Sequence, residues 1–147
     1  MVADVETIDR TPEPAEAAAN LAAVADARRA VRDRPWPIWL YPANALALGT
    51  MASTPLLPEL AALAAWVASG VAIFVLNFWA GHRMGTPFAI PTSREFGVAV
   101  ATSTLFLVAA LVFGYVEGAD RLVVGCAVGT ALSYAIGSLL HYRSTRR

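Results

Sequence analysis

Polar side chains inside otherwise apolar stretches are the residues of this sequence best placed to do chemistry, because a polar group in such surroundings costs free energy and often marks a functional site. Asn44 and Asn77 are the clearest cases, since an amide does not readily satisfy itself on its own helix. Two interpretations stay open for them: hydrogen bonds between helices, or the lining of a polar cavity. The predicted polar site has four members: Asn44, Asn77, Ser133 and Tyr134.

Two histidines, His82 and His141, offer proton or metal chemistry, and each stands at the end of a long apolar stretch. A structural zinc ion takes four ligands, and neither histidine has a carboxylate or thiol close by in the sequence. We therefore predict that His82, Arg83 and His141 are interfacial residues, with no metal site and no cofactor. The sequence has no HExxH motif, phosphate-binding glycine loop or convergent Ser-His-Asp set, so no catalytic residue is predicted.

Small residues recur every four positions in the last apolar stretch and form a ridge with almost no side chain: Gly125, Gly129, Ser133 and Gly137. Such a ridge lets a second helix approach closely within lipid. Weaker versions occur between residues 60 and 72, as Ala61, Ala65 and Ser69, and as Ala64, Ala68 and Ala72. We expect the second and fourth apolar stretches to pack together within one chain. Self-association through the fourth stretch is the alternative.

The elements that carry these residues are four stretches without any Asp, Glu, Lys or Arg: 35–58, 60–82, 96–116 and 122–142. Each is long enough to cross a hydrocarbon core, which takes about 20 apolar residues for a thickness of about 30 Å. Charged residues make up only 15% of the chain, against roughly a quarter in soluble domains. A soluble domain with four such helices would have little polar surface left to cover them. The sequence predicts an all-α integral membrane four-helix bundle.

Local signals set the expected boundaries. Pro35 ends an Ala-rich, Arg-rich helix that precedes the first span, Pro37 and Pro42 shorten or bend that span, and Thr92 to Glu95 has a capping-box pattern before the third. The expected segments are a disordered acidic tail (1–14), a cytoplasmic juxtamembrane helix (15–34), a transmembrane domain (36–142) with spans near 36–53, 59–80, 93–116 and 121–141, and a basic tail (143–147).

The orientation follows from the arginines, which are the only basic residues besides histidine. Arginine-rich segments precede the first span, separate the second and third spans, and follow the fourth, whereas the other two connections carry none or one. The positive-inside rule then places both termini in the cytoplasm. We expect a multi-pass protein of the inner or plasma membrane, and arginine without lysine suits a high-GC bacterial genome.

The function expected from these features is non-catalytic: an accessory subunit, scaffold or regulator that acts through helix packing. Its partners would be the lipid bilayer and either a second copy of the chain or another membrane protein. Nucleic acid is not expected, because no basic domain stands clear of the membrane.

A small transporter or channel is the alternative function, and a lipid-modifying membrane enzyme is the third. Four short spans are similar in size and number to the small multidrug resistance transporters. That family uses a membrane-embedded glutamate in its first span, and the first span here contains no acid. The resemblance therefore implies no proton-coupled exchange of cations by this chain.

Overall fold

The computed structural model describes residues 13–32, 36–85 and 93–144, and the side chains of these ranges except those of 28–32. Every regular element in the described ranges is helical: α1 Pro14–Arg32, α2 Leu40–Ser53, a 3₁₀ segment Thr54–Leu56, α3 Glu59–Arg83, α4 Arg94–Phe113 and α5 Asp120–Ser144. Most of the expected acidic tail, Thr92 of the expected capping box and the last three residues lie outside the described residues. The chain divides into two units, Met1–Val31 and Arg32–Arg147.

The first unit contains α1, which agrees with the expected helix over 15–34 to within two residues at each end. Pro14 occupies the first helical position, where its missing N–H costs nothing, and the N–H of Ala17 donates to the carbonyl of Glu13 at 2.9 Å. The larger apolar side chains of its described part, Leu21 and Val24, are exposed. This helix therefore forms through the high helix propensity of alanine rather than through a core of its own.

Three helices of the second unit are long and apolar enough to cross a membrane: α3 with 25 residues, α4 with 20 and α5 with 25. Only 6%, 22% and 28% of their respective apolar windows are buried. Helices of this length would bury their apolar surface inside a soluble protein, whereas these present it on the outside of the bundle. The chain is an all-helical protein whose helices suit a membrane.

The element α2 is shorter than the expected first span. Its helix begins at Leu40 instead of Trp36, because residues 36–37 have no regular structure and a turn follows them, in which the N–H of Leu40 donates to the carbonyl of Pro37 at 2.9 Å. Fourteen residues rise about 21 Å, which is less than the hydrocarbon thickness. The 3₁₀ segment follows without a break, and the hydroxyl of Thr54 donates to the carbonyl of Met51 at 2.8 Å.

Within this unit, α5 packs against both α4 and α2, whereas α3 packs only against α2 and the 3₁₀ segment. Among the described residues, no Cα of α3 comes within 8 Å of a Cα of α4 or α5. The expected packing of the second span against the fourth is therefore wrong. The physical reason is that Ala99 and Phe106 of α4 pack against the small-residue ridge of α5.

Successive helices of the second unit run antiparallel. Near the middle of the bundle the hydroxyl of Ser103 on α4 donates to the carbonyl of Thr130 on α5 at 2.9 Å. At one end, Trp39 lies 5.8 Å from Trp79 and Tyr41 lies 6.2 Å from Tyr142, between ring centroids. We call this the aromatic end; α2 and α4 begin there, and α3 and α5 end there. The opposite end holds the 3₁₀ segment and the α4–α5 turn.

Candidate functional site

The centre of the candidate site is a reciprocal pair of amides that joins α2 to α3. Nδ2 of Asn44 donates to Oδ1 of Asn77 at 3.1 Å, and Nδ2 of Asn77 donates back to Oδ1 of Asn44 at 2.9 Å. Asn44 is buried and Asn77 is half-buried. Each amide thus offers the other the donor and the acceptor that an apolar environment lacks.

The second hydrogen of each amide also has an acceptor. Nδ2 of Asn44 donates to the hydroxyl of Tyr134 on α5 at 3.3 Å, and Nδ2 of Asn77 donates to the carbonyl of Ile73 on its own helix at 2.6 Å. All four amide hydrogens are therefore used inside the bundle, and three helices share one hydrogen-bond network. A buried polar network with every donor satisfied holds its elements in one arrangement.

Apolar groups surround this network on the side of α4. The ring of Tyr134 lies edge-on to Phe96, with 5.8 Å between centroids, and Ala45 completes a small buried cluster with them. The part of the network formed by Asn44 and Tyr134 is thus buried, whereas Asn77 is half-buried on α3. The structure brings together three of the four residues of the predicted polar site. The fourth, Ser133, lies elsewhere, on a groove between α4 and α5.

A second polar contact lies at the aromatic end and joins α4 to α5. Oγ of Ser93 lies 2.8 Å from Nδ1 of His141, and the same oxygen caps α4 by accepting the N–H of Phe96 at 3.3 Å. The His141 side chain is only 1% exposed, and its ring lies 5.5 Å from that of Phe96. His141 therefore takes part in helix packing, and its contact with Ser93 was not predicted from the sequence.

The other two residues predicted to be interfacial, His82 and Arg83, are exposed at the end of α3. The guanidinium carbon of Arg83 lies 4.4 Å from the ring centroid of Trp79, which is a cation–π geometry, and His82 stacks on Phe78 at 6.1 Å between centroids. Within the described residues, no three His, Cys, Asp or Glu side chains are grouped so that they could hold a metal ion.

The small-residue ridge of α5 is used unevenly. A Cβ built on Gly137 would overlap the Cβ of Ala99 on α4, and one built on Gly129 would lie 3.0 Å from the ring of Phe106. A Cβ on Gly125 would meet nothing within 4 Å. The ridge therefore brings α5 against α4 at two of its glycines and leaves the third open. On the α2 side, a Cβ on Gly49 would lie 3.2 Å from the Cβ of Ala131.

No protein-family model, curated protein or solved structure matches this chain. What the site does must follow from its own geometry. Two side-chain contacts join helices here: Asn44 with Asn77 joins α2 to α3, and Ser93 with His141 joins the start of α4 to α5.

Proposed function

We propose that this chain is a non-catalytic membrane protein that crosses the bilayer four times and binds a membrane-spanning helix of a partner protein along α3. In this account it is an accessory subunit, scaffold or regulator. The observation that carries the proposal is the position of α3. It lies at the edge of its unit, attached only through α2 and the 3₁₀ segment, and 94% of its apolar window is not buried within the chain.

The combined length of α2 and the 3₁₀ segment supports a membrane crossing by this part of the chain, in addition to those of α3, α4 and α5. Their combined rise is about 27 Å, close to the hydrocarbon thickness of about 30 Å. Tyr41 contacts Tyr142 at the aromatic end, and Pro55 lies against Gly114 at the opposite end. This segment thus runs alongside the long helices over most of their length.

The distribution of charge supports a cytoplasmic aromatic end. Arg83, Arg94 and Arg143 lie on elements that end or begin there, whereas Arg121 at the opposite end follows Asp120 directly. The positive-inside rule favours the arginine-rich side as the cytoplasmic one, and the tryptophans at that end suit a membrane interface. Four passes then place both termini in the cytoplasm.

The exposed side of α3 has the residue pattern of a helix-binding surface. We call this set the α3 seam; its six members alternate at spacings of four and three: Leu60, Ala64, Val67, Val71, Phe74 and Phe78. All six are exposed within the chain. Apolar residues at this alternation insert into the holes of a facing helix when two helices cross at a shallow angle. The seam therefore offers a continuous surface to a second transmembrane helix.

The polar interior favours this function over transport or lipid chemistry. Both amides of the central pair donate all their hydrogens to groups of the protein, so neither is directed to a substrate. The charged residues of α3, α4 and α5 lie at or near the ends of those helices. Membrane-embedded carboxylates mark many proton and ion pathways, and in the described helices α3, α4 and α5 the carboxylates Glu59, Glu95 and Asp120 all lie in the first turns.

A tryptophan placed in the α3 seam tests the proposal. Lipid chains adapt to a larger side chain, but a packed helix does not, so Val67→Trp should displace the partner while leaving the folded protein in the membrane. Val108→Trp is the matched control, because Val108 is exposed to a similar degree on α4. The measurement is the native mass of the full chain in mild membrane extract, with co-purifying proteins quantified.

We expect a stoichiometric partner with the unsubstituted chain and with Val108→Trp, and its loss with Val67→Trp. A partner retained equally by all three would show that α3 is not the binding surface. A homo-oligomer that dissociates only in Val67→Trp would replace the foreign partner with a second copy. A monomer without any partner would overturn the proposal.

A further inference from the structure

A groove runs along the outside of the α4–α5 pair, starting at the aromatic end. Its volume is about 570 Å³, and its lining includes Arg94 and Glu95 at the start of α4 and Thr102 and Ser133 further along. The remaining lining is apolar apart from the backbone of Gly137. The groove is therefore mostly apolar, with two charged side chains at its mouth, the end where α4 begins.

The groove exists because its floor is built from small residues. Gly137 and Ala99 are in direct contact, which brings the two backbones close together there, and Ser133 continues the floor one turn earlier on α5. Larger side chains such as Val98 and Ile136 form part of the groove lining. A thin, flexible apolar chain fits this shape, whereas a helix, about 10 Å in diameter, would rest on the rims.

The length of the groove matches one leaflet of a bilayer. Arg94 and Thr102 mark its two ends on α4, and eight residues of helix rise about 12 Å. Half of a hydrocarbon core about 30 Å thick is about 15 Å. An acyl chain lying in the groove would thus run from the interface toward the middle of the membrane.

The charges at the mouth complement a zwitterion. Arg94 and Glu95 are adjacent and exposed, and neither makes an ion pair with any residue in the part of the chain that the structure describes. A guanidinium binds a phosphate well, and a carboxylate accepts hydrogen bonds from a primary ammonium. A head group that carries both a phosphate and a primary ammonium satisfies the two side chains together.

We propose that this groove binds a phospholipid with a phosphoethanolamine head group, its phosphate at Arg94, its ammonium at Glu95 and one acyl chain along the floor past Gly137. The proposal rests on the insertion of α4 and α5 in the membrane. It does not depend on the partner proposed for α3, which uses a different surface. Basic pockets between membrane helices on the cytoplasmic side are known to favour particular lipids.

The test measures which lipids stay with the full chain. The protein, extracted in mild detergent, is equilibrated with equimolar phosphatidylethanolamine, phosphatidylcholine and phosphatidylglycerol of identical acyl chains, and the retained lipids are counted by native mass spectrometry. Phosphatidylcholine keeps the phosphate but has no N–H to donate, and phosphatidylglycerol has no ammonium. We expect phosphatidylethanolamine to be retained about fivefold over either, which corresponds to about one charged contact near the surface.

Single substitutions distinguish the contribution of the head-group contacts to lipid binding from the contribution of the groove floor. Glu95→Gln should abolish the preference, because only the ammonium distinguishes the three head groups at this residue. Arg94→Gln should lower the retention of all three lipids, which share the phosphate, and Ser133→Leu should do the same by filling the floor. Arg121→Gln, an exposed arginine in the first turn of α5 and outside the groove, should behave like the unsubstituted chain. Thermal unfolding in detergent verifies that each variant is folded.

Four results would overturn the proposal. They are equal retention of the three lipids, an undiminished preference in Glu95→Gln, undiminished total retention in Arg94→Gln, or a second copy of the chain that Ser133→Leu displaces in place of lipid. A protein that retains phosphatidylethanolamine but has no partner would keep this inference and lose the function proposed for α3. The two outcomes are therefore distinguishable.

Discussion

The amide of Asn44 has no water to bond to in an apolar bundle, and an unsatisfied amide there would cost several kcal/mol. Its reciprocal pair with Asn77 removes that cost and has a second effect. The two reciprocal hydrogen bonds form only when α3 has one rotation about its own axis and one position along the axis of α2. The rest of their contact is mostly apolar and would tolerate sliding. The pair therefore sets the register of the edge helix, as a buried asparagine does in coiled coils.

A double-mutant cycle on the amide pair measures this contribution. Asn44→Ala and Asn77→Ala should each destabilise the folded state, because each leaves the partner amide with an unsatisfied donor. The coupling between the two substitutions should lie between about 0.6 kcal/mol, the average for hydrogen bonds between membrane helices, and about 1.7 kcal/mol, the largest value for such bonds. The free energy of unfolding is measured by denaturing detergent titration of the purified chain.

Thr104→Val provides the control for that cycle, since its hydroxyl is exposed and donates only to the carbonyl of Val100 on the same helix. It should change the stability by a few tenths of a kcal/mol at most. Additive effects of the two asparagine substitutions would show that the amides do not act as a pair.

At the scale of single residues, the sequence predicts which polar groups matter better than it predicts their partners. Asn44 and Asn77 stand out because they interrupt charge-free stretches. Ser133 and Tyr134 are neighbours in sequence, yet Tyr134 bonds to Asn44 inside the bundle whereas Ser133 lies on the outer groove between α4 and α5. The contact of Ser93 with His141 joins residues 48 positions apart, and no local pattern signals it.

Among the elements, α5 depends on glycine only where α4 approaches it. Gly137→Ala should destabilise the bundle by about 1–3 kcal/mol, because the new methyl would overlap Ala99 and the two backbones must separate. Gly125→Ala is the matched substitution on the same ridge. It should be neutral or stabilising by up to about 1 kcal/mol, since its methyl meets open space and alanine favours the helix.

Thermal unfolding of the two variants in the same detergent compares these effects directly. We expect a clear separation of their midpoints, with Gly137→Ala below and Gly125→Ala at or above the unsubstituted chain. Equal destabilisation by both would mean that the open end of the ridge is also a packing surface. Self-association through α5 would then regain support.

The ridge of α5 indicates close packing in the sequence but cannot identify the helix that packs on it. Alanine-rich α3 and alanine-containing α4 are both candidates, and hydropathy does not separate them, because faces toward lipid and faces toward protein are equally apolar. Phe106 and Ala99 of α4 decide the matter in the structure. The shortening of α2 was more predictable, since Pro37 and Pro42 restrict its first turns.

At the scale of the whole molecule, the second unit combines one compact group of helices, α2, α4 and α5, with an edge helix, α3, attached through α2 and the 3₁₀ segment. Charge-free stretches in the sequence predict the membrane class, because their lengths match the bilayer and few charged residues remain to cover them. Three of the four expected spans have helices of membrane length. Whether α2 also crosses the membrane depends on its length, and the orientation depends on the distribution of the arginines. Both remain predictions.

Accessibility of single cysteines tests the four-pass orientation most directly. In a Cys126→Ser background, cysteine replaces one residue at a time at Glu13, Leu57, Glu117 and Ser144, and cells are treated with a membrane-impermeant thiol reagent. We expect labelling at 57 and 117 in intact cells, and at 13 and 144 only after permeabilisation. Labelling at 13 together with 57 in intact cells would mean that α2 does not cross, and would contradict the four-pass protein with both ends in the cytoplasm.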